Sequence, residues 1–487
     1  MRAPRVALGL VSVVAVAACG STVQMTSQSL TSGTGGDGLT GTSSSAAPAA
    51  TTGGSAVPGT ALSGAPASAA LGTSGTDVAV QLPSAPSLPI GKGAPIVIGF
   101  GTNKDISGFA SSIGLSGIAT GDQANQMRAM VKTVNDRGGI LGHKIVLAAH
   151  DISSVESTSN PDQVAAEACA DWADHKAFAV VDAGNSPTLL ACLKKHGIIT
   201  VGSMDVLATG LTYGAGVYGP SAISVTRYIP AVVDRLVAQG YFTPWDTNAG
   251  GPSKLAPVKI GAQSFSDPEG KEYVRVLKAA LANHGLVLTD LETHSTNLSE
   301  NASSTSAAVL KFRADGITHV FNANVLFYKD ADSQGFKPRY AVDDTIATPA
   351  LLTQNASQSQ LHGSMGTGYL PATEVNDPHD VSPAATRCRK VMTDAGEDLS
   401  QSLTLTLVLN VCDAINFLDQ TLTLGGRISP SGLLAGLGRL KHFESAVTYS
   451  SKVSPALHDG GAGVRDFVYV DSCNCYRFPS ATIYPVQ

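Results

Sequence analysis

The residues able to do chemistry in this chain sit in small polar loops directly after apolar runs. Gly101-Thr102-Asn103-Lys104-Asp105-Ile106-Ser107-Gly108-Phe109 follows Ile96–Phe100, and His150-Asp151 follows Lys144–Ala149. Ala183-Gly184-Asn185-Ser186-Pro187 follows Phe178–Val181, and Gly202-Ser203-Met204-Asp205 follows Ile198–Val201. Later come Ser266-Asp267-Pro268-Glu269, Asn322-Ala323-Asn324 and Asp343-Asp344. Such hydroxyls, carboxamides and carboxylates hold a small solute by hydrogen bonds. The plainer role open to Asn185, Ser186 and Asp267 is helix capping. Taken as a set, these loops point to ligand contact. The candidates are Asp105, Phe109, Asn185, Ser186, Ser203, Asp205, Asp267, Asn322 and Asp343.

Enzyme chemistry finds no comparable support. Gly214-Ala215-Gly216-Val217-Tyr218-Gly219 matches a dinucleotide fingerprint in letters. It does not directly follow a strand pattern, and Pro220 comes next, which argues against a nucleotide site. There is no Gly-x-Ser-x-Gly elbow, no His-Glu-x-x-His and no Cys-x-x-Cys pair. The 11 histidines are scattered. Cys473-Asn474-Cys475 lacks a second ligand pair for a metal. The expectation is a binding protein with no catalytic residue, no metal and no cofactor.

The elements that position these loops read as alternating strands and helices. Met127, Met130, Val131 and Val134 recur with helical spacing, and Val164, Ala168 and Trp172 mark another helix. Leu189, Leu190 and Leu193 mark a third. Short joints between such units imply a parallel sheet with helices on both faces. The pattern restarts near Ile223: a helix through Ile229–Val237, a strand at Val258–Phe265 and a helix through Val274–Leu281. A strand at Val287–Leu291, a weaker helix near Ala307–Ala314 and the strand His319–Phe321 follow. Leu403–Leu422 reads as a buried helix, Pro430–Leu440 as another and Asp466–Val470 as a late strand. In an open parallel sheet, ligands bind beyond the carboxyl ends of the strands, where these loops lie.

The first residues address the chain. Arg2 and Arg5 precede the apolar run Val6–Ala18, which ends in Val16-Ala17-Ala18-Cys19. A basic front, a short apolar core and small residues at the cut make a secretory signal over residues 1–18. From Gly20 to about Lys92 the chain is Ser, Thr, Gly, Ala and Pro with almost no charge, a composition expected to stay disordered. A flexible linker of that length reaches roughly 45–50 Å. Acidic residues outnumber basic ones, 38 to 32, and no basic stripe suggests nucleic acid. No apolar run after the leader reads as long enough to span a bilayer. Setting Cys19 aside from the seven cysteines leaves six, in an oxidising compartment where disulfides are the default. Local layout favours Cys169–Cys192, on helices flanking one strand, then Cys388–Cys412 and Cys473–Cys475.

Two stretches resemble known families. Val16-Ala17-Ala18-Cys19 resembles the bacterial lipobox, which implies cleavage before Cys19 and a lipid (palmitate-bearing) anchor on its sulfur. Asn135-Asp136-Arg137-Gly138-Gly139-Ile140-Leu141-Gly142-His143-Lys144-Ile145, with Asp151 closing the strand, resembles a turn of the type I periplasmic-binding proteins. The body from Pro95 is similar to their branched-chain amino-acid-binding members. That resemblance implies an α/β fold of two lobes, each a parallel-sheet three-layer α/β/α sandwich, joined by hinge crossings. Lobe one would comprise residues 93–222 and 345–455, and lobe two residues 223–344 and 456–487. It also implies a monomeric, lipid-anchored solute receptor on the extracytoplasmic face, serving an ABC permease in the membrane. A ligand-sensing or surface-interaction lipoprotein is the alternative use of the same body.

By the same resemblance, Asn185 and Ser186 stand where relatives hold a carboxylate. Asp343 or Asp344 stands where an acid takes an ammonium group. Ser203-Met204-Asp205 replaces small residues and a threonine, and Asp267 replaces an aromatic cover. The extra acids suit a cationic or polyol ligand.

Overall fold

The computed structural model describes residues 93–112, 114–181, 186–202, 216–294, 298–344, 348–370 and 382–487. The leader, Cys19 and the linker lie outside them.

Alternation in the first strand sets the layering. In β1 (Ile96–Thr102), Ile96, Ile98 and Phe100 enter one core while Val97 and Gly99 meet another. The helices α1 (Ile106–Ser112) and α2 (Gln123–Asp136) follow, then β2 (Ile145–Asp151), α3 (Ser154–Ser159) and α4 (Pro161–Asp174). Next come β3 (Ala179–Val181), α5 (Pro187–Lys195), β4 (Ile199–Val201) and β5 (Val217–Tyr218). These five strands form one parallel sheet in the order β2-β1-β3-β4-β5. Met127, Met130 and Val134 of α2 pack on the face carrying Ile98, and Val164, Ala168 and Trp172 of α4 pack on the other. Gly99 is required there: a Cβ would stand 2.7 Å from the Trp172 ring.

The turn before β2 explains the sequence motif. Asn135 bonds the first residue of the strand twice, accepting from Ile145 N–H at 2.8 Å and donating to Ile145 carbonyl at 2.9 Å. Ile140 and His143 exchange backbone bonds at 2.9 Å. Gly139 has φ +77°, and a Cβ on it would lie 2.0 Å from the His143 carbonyl oxygen, so only glycine fits.

The second lobe repeats the plan. It opens with α6 (Val225–Ala238), a small hairpin of β6 (Trp245–Asp246) and β7 (Gly251–Pro252), and β8 (Ile260–Phe265). Then come α7 (Pro268–Asn283), β9 (Leu288–His294), α8 (Leu298–Asp315), β10 (His319–Phe321) and α9 (Val325–Ser333). β11 (Arg339–Asp344), α10 (Thr348–Asn355), α11 (Gln358–Leu361) and β12 (Met365–Gly368) complete the parallel part, ordered β9-β8-β10-β11-β12. The chain returns to lobe one as α12 (Pro383–Asp394), α13 (Ser402–Gly425) and α14 (Pro430–Leu437). It ends with β13 (Gly463–Val470), β14 (Cys475–Arg477) and β15 (Tyr484–Pro485), which extend the second sheet antiparallel. Helices α6 and α7 cover one face, while α8, α9 and α10 cover the other.

The return to lobe one comes later than the expected residue 345. β12 pairs with β11 and β13, so the chain through Gly368 belongs to the second sheet. Met365-Gly366-Thr367-Gly368 carries too little apolar pattern to read as a strand. Gly366 is needed because a Cβ would lie 2.2 Å from the Phe467 ring.

By length and composition, α13 is apolar enough to cross a membrane, contrary to the sequence expectation. It is instead a buried core helix, with Val408, Ile415 and Phe417 fully packed. The six cysteines join α4 to α5 (Cys169–Cys192), α12 to α13 (Cys388–Cys412) and the two ends of the β13–β14 turn (Cys473–Cys475).

The crossings are laced together by two buried carboxylates. Asp413 of α13 accepts from the Ser221 and Ser445 hydroxyls and from the N–H groups of Ala446 (2.7 Å) and Val447 (3.3 Å). Asp459 accepts from Ser224 N–H and from Arg227 Nη1, both at 2.9 Å.

Candidate functional site

The order β2-β1-β3-β4-β5 places the topological switch point of lobe one between β1 and β3; in lobe two it falls between β8 and β10. Crevices for ligands open at such points, outside the carboxyl ends of the strands. The two sets of strand ends face related surroundings. α1, which follows β1, sends Ile106 and Ala110 into the same core as Tyr328 of α9 and Leu351 of α10. Lys329 donates to Gly114 carbonyl at 2.7 Å, and Ser116 meets Asn355. The lobes therefore touch through α1 and the loop after it as well as at the crossings.

In lobe one, the loop after β1 is tied to the start of α3. Asp105 accepts from Ser154 N–H at 2.9 Å and from the Ser153 hydroxyl at 3.3 Å. Asn103 is buried: its Oδ1 accepts from Ser154 Oγ at 2.8 Å, and its N–H donates to Gln123 Oε1 at 2.6 Å. Its Nδ2 has no partner. Asp151 accepts from Thr102 Oγ1 and pairs with Lys104 at 2.8 Å, and those bonds hold its carboxyl below the ordinary range. Phe109 is half-buried against the lobe-two core. Ser186 is buried and caps α5, accepting from Leu189 N–H at 3.1 Å. Asn185, Ser203 and Asp205 lie outside the described residues, as does the side chain of Asp344.

In lobe two, Asp267 caps α7 by accepting from Gly270 N–H at 2.7 Å; burial pushes its carboxyl up, opposed by that bond. Gly270 is obligatory, since a Cβ there would lie 2.0 Å from the Phe265 carbonyl oxygen. Asn322 takes the left-handed conformation at φ +53° and donates from Nδ2 to Gln263 carbonyl at 3.0 Å. Gln263 Oε1 accepts from Asn324 N–H at 3.2 Å, so this buried amide braces the loop after β10. Asp343 is not in a loop but inside β11, opposite Thr367 of β12. It is half-buried, and burial pushes its carboxyl up to about 6.

The structure thus brings Asp105 together with Asn103 and Ser154, and Asn322 together with Gln263 and Asn324. Asp105, Ser186 and Asp267 spend their acceptors on helix starts. Gln263 escaped the sequence reading, and Asn103 was read as part of its loop without being singled out. Gln263 lies inside a strand buried on both faces, and its polarity among Ile260, Gly261 and Ala262 was the signal available.

Residues 101–448 match a family model described as periplasmic binding protein. The chain belongs to the periplasmic binding protein family. Solved structures share its type I fold at low sequence identity. A possible leucine/isoleucine/valine-binding protein of Rhodopirellula baltica is 18% identical with a TM-score of 0.58, covering 80% of this chain and 98% of its own. A branched chain amino acid ABC transporter protein of Thermus thermophilus, solved with bound valine, is 14% identical with a TM-score of 0.57, covering 81% and 96%. An extracellular ligand-binding receptor of Rhodopseudomonas palustris is 18% identical with a TM-score of 0.57, covering 79% and 99%. No curated protein sequence matches the chain significantly. The two sheets of this chain share one strand order, 2-1-3-4-5, in their parallel parts.

Proposed function

We propose that this protein is an extracytoplasmic, lipid-anchored receptor. It captures a small polar solute, an amino acid, an amide or a similar compound, and delivers it to an ABC importer. The observation that carries the reading is the pairing of two switch points in one chain, with the lobes in contact through the loop at Gly114–Ser116. A solute seated there touches both lobes only when they are shut, so binding favours the shut state. Turning a one per cent minority into the dominant form takes about 5.5 kcal/mol of differential binding. A micromolar ligand supplies roughly 8 kcal/mol in all, enough for that shift.

Candidate contacts are Asp343 for a cationic group, Asn322 and Asp267 at the lobe-two strand ends, and Asp105, Phe109, Asn185, Ser186, Ser203 and Asp205 from lobe one. The anchor would be Cys19, with the Ser/Thr/Gly/Ala/Pro segment as a tether, and the body would act as a monomer without catalysis. The relatives solved with valine or leucine bound support an amino-acid-sized ligand.

The test is a thermal-shift screen of the purified chain against amino acids, amides, polyols and polyamines, with native mass spectrometry of any co-purifying compound. One chemical class should raise the melting temperature in a saturable way. A flat response across the screen, with no bound compound, refutes solute capture.

A further inference from the structure

At the end of β9, His294 is 5% exposed, and neither ring nitrogen has a hydrogen-bond partner. Gln263, fully buried on the neighbouring strand β8, has its Oε1 committed to Asn324 N–H while its Nε2 donates to nothing. The register pairs Gln263 with Glu292 and Phe265 with His294, so Gln263, Phe265 and His294 share one face of the sheet. Phe265 meets the imidazole edge-on, with ring centroids 4.6 Å apart. Three unsatisfied polar atoms thus gather on β8, which borders the lobe-two switch point, and on its outer neighbour β9. An unmade bond on a buried polar atom destabilises the fold. Native proteins leave few such atoms, and a cluster at one place calls for a missing partner.

We propose that Gln263 and His294 form a subsite for a neutral group of the solute that both accepts and donates hydrogen bonds, a carboxamide or hydroxyl rather than an alkyl chain. This rests on the solute-receptor reading and narrows its ligand. The donor and acceptor count decides the chemistry. Burial pushes the imidazole down to about 4, so at neutral pH the ring is uncharged, with one N–H donor and one bare nitrogen acceptor. With the two N–H groups of Gln263 Nε2, the subsite offers donors from two residues and an acceptor from one. A carboxylate would leave the bare nitrogen unpaired, and an ammonium group would leave the donors unpaired. A carboxamide serves both.

The experiment uses the full chain and matched pairs that differ in polarity at similar size: leucine with asparagine, and methionine with glutamine, with acetamide as a free amide. Dissociation constants are read by calorimetry for the native chain, His294→Phe and Gln263→Leu, with ligand-free melting temperatures confirming that each variant folds. The amide member of a pair should bind the native chain at least tenfold more tightly than its alkyl partner. That ratio should fall toward one in either variant. Equal or tighter binding of the alkyl members, or a ratio untouched in both variants, overturns the subsite while leaving solute capture intact. Such a result would assign a buried water to the orphaned atoms. Silence toward every compound, together with a flat response in the wider screen, overturns both readings.

Discussion

Ser116 and Asn355, 239 residues apart, hold each other by reciprocal hydrogen bonds. Ser116 N–H donates to Asn355 Oδ1 at 2.9 Å, and Asn355 Nδ2 donates back to Ser116 carbonyl at 3.0 Å. The side-chain amide of Asn355 thereby imitates a strand partner for a lobe-one loop, from the end of a lobe-two helix. Beneath this pair, Leu115 and Ile118 enter the apolar core of lobe two, together with Leu403 and Leu407 of α13. The same helix carries Asp413, which binds the crossings. The first turn of α13 therefore serves the far contact and its middle the hinge, with about 15 Å of helix between Leu403 and Asp413.

Removing that reciprocal pair should loosen the shut arrangement. The bonds are solvent-exposed, so each contributes about 0.5–1.5 kcal/mol. Asn355→Ala should raise the open population about 5–30-fold. The reporter is hydrogen exchange at the Ser116 amide, which loses its acceptor; unchanged exchange there, and an unchanged scattering radius, would refute a latch.

Asp343 gives the solute site a pH signature. Its carboxyl titrates near 6 because of burial, so it is charged at neutral pH and neutral at pH 5. If it holds the solute's cation, affinity is full above about 6 and falls as pH drops through that value. Asp343→Asn should weaken binding at pH 7.5 by tenfold or more and flatten the profile between pH 5 and 7. Calorimetric titration at four pH values decides it, and a native profile already flat would remove Asp343 from the site.

The disulfide between α4 and α5 offers a test of lobe one alone. Cys169 and Cys192 are 23 residues apart, and closing a loop of that size stabilises by about 3 kcal/mol. Cys169→Ser combined with Cys192→Ser should shift the urea midpoint downward by a corresponding amount, and a reductant should then have less effect than on the native chain. Equal midpoints for the two proteins would show that the bridge adds nothing.

Much of the fold was legible because each long element carried its own pattern. Met127, Met130, Val131 and Val134 announced α2, and the apolar run from Leu403 announced α13. β12 was hidden, since Gly366 and Gly368 contribute no side chain and the strand exists only through its pairing with β11 and β13. β5 was hidden by being two residues long. The candidate site was half legible. Strand-end loops could be located, but a sequence does not reveal that Asp105, Ser186 and Asp267 are committed to backbone N–H groups. Nor does it show that Gln263 and His294 are left with unmade bonds, a property that exists only once burial is known.

Asp413 should govern how stability depends on pH. Burial raises its folded-state value to about 6, and its bonds from Ser221, Ser445, Ala446 and Val447 only partly oppose that. The folded chain thus holds this proton more tightly than the unfolded chain, whose carboxyl titrates near the ordinary 3.8. The sign follows from linkage: the group's contribution is complete below about 3.8 and is lost as pH rises through about 6, a change of roughly 2–3 kcal/mol. Asp413→Asn keeps the shape but cannot ionise. Relative to the native chain it should therefore gain stability as pH rises from 4 to 7. Asp413→Ala removes the acceptor altogether, leaving Ala446 N–H without its partner, and should destabilise at every pH by about 3 kcal/mol. Urea midpoints for the three proteins at pH 4, 5, 6 and 7 measure both effects. Parallel curves for the native chain and Asp413→Asn would mean that this carboxyl does not titrate in the folded state over that range.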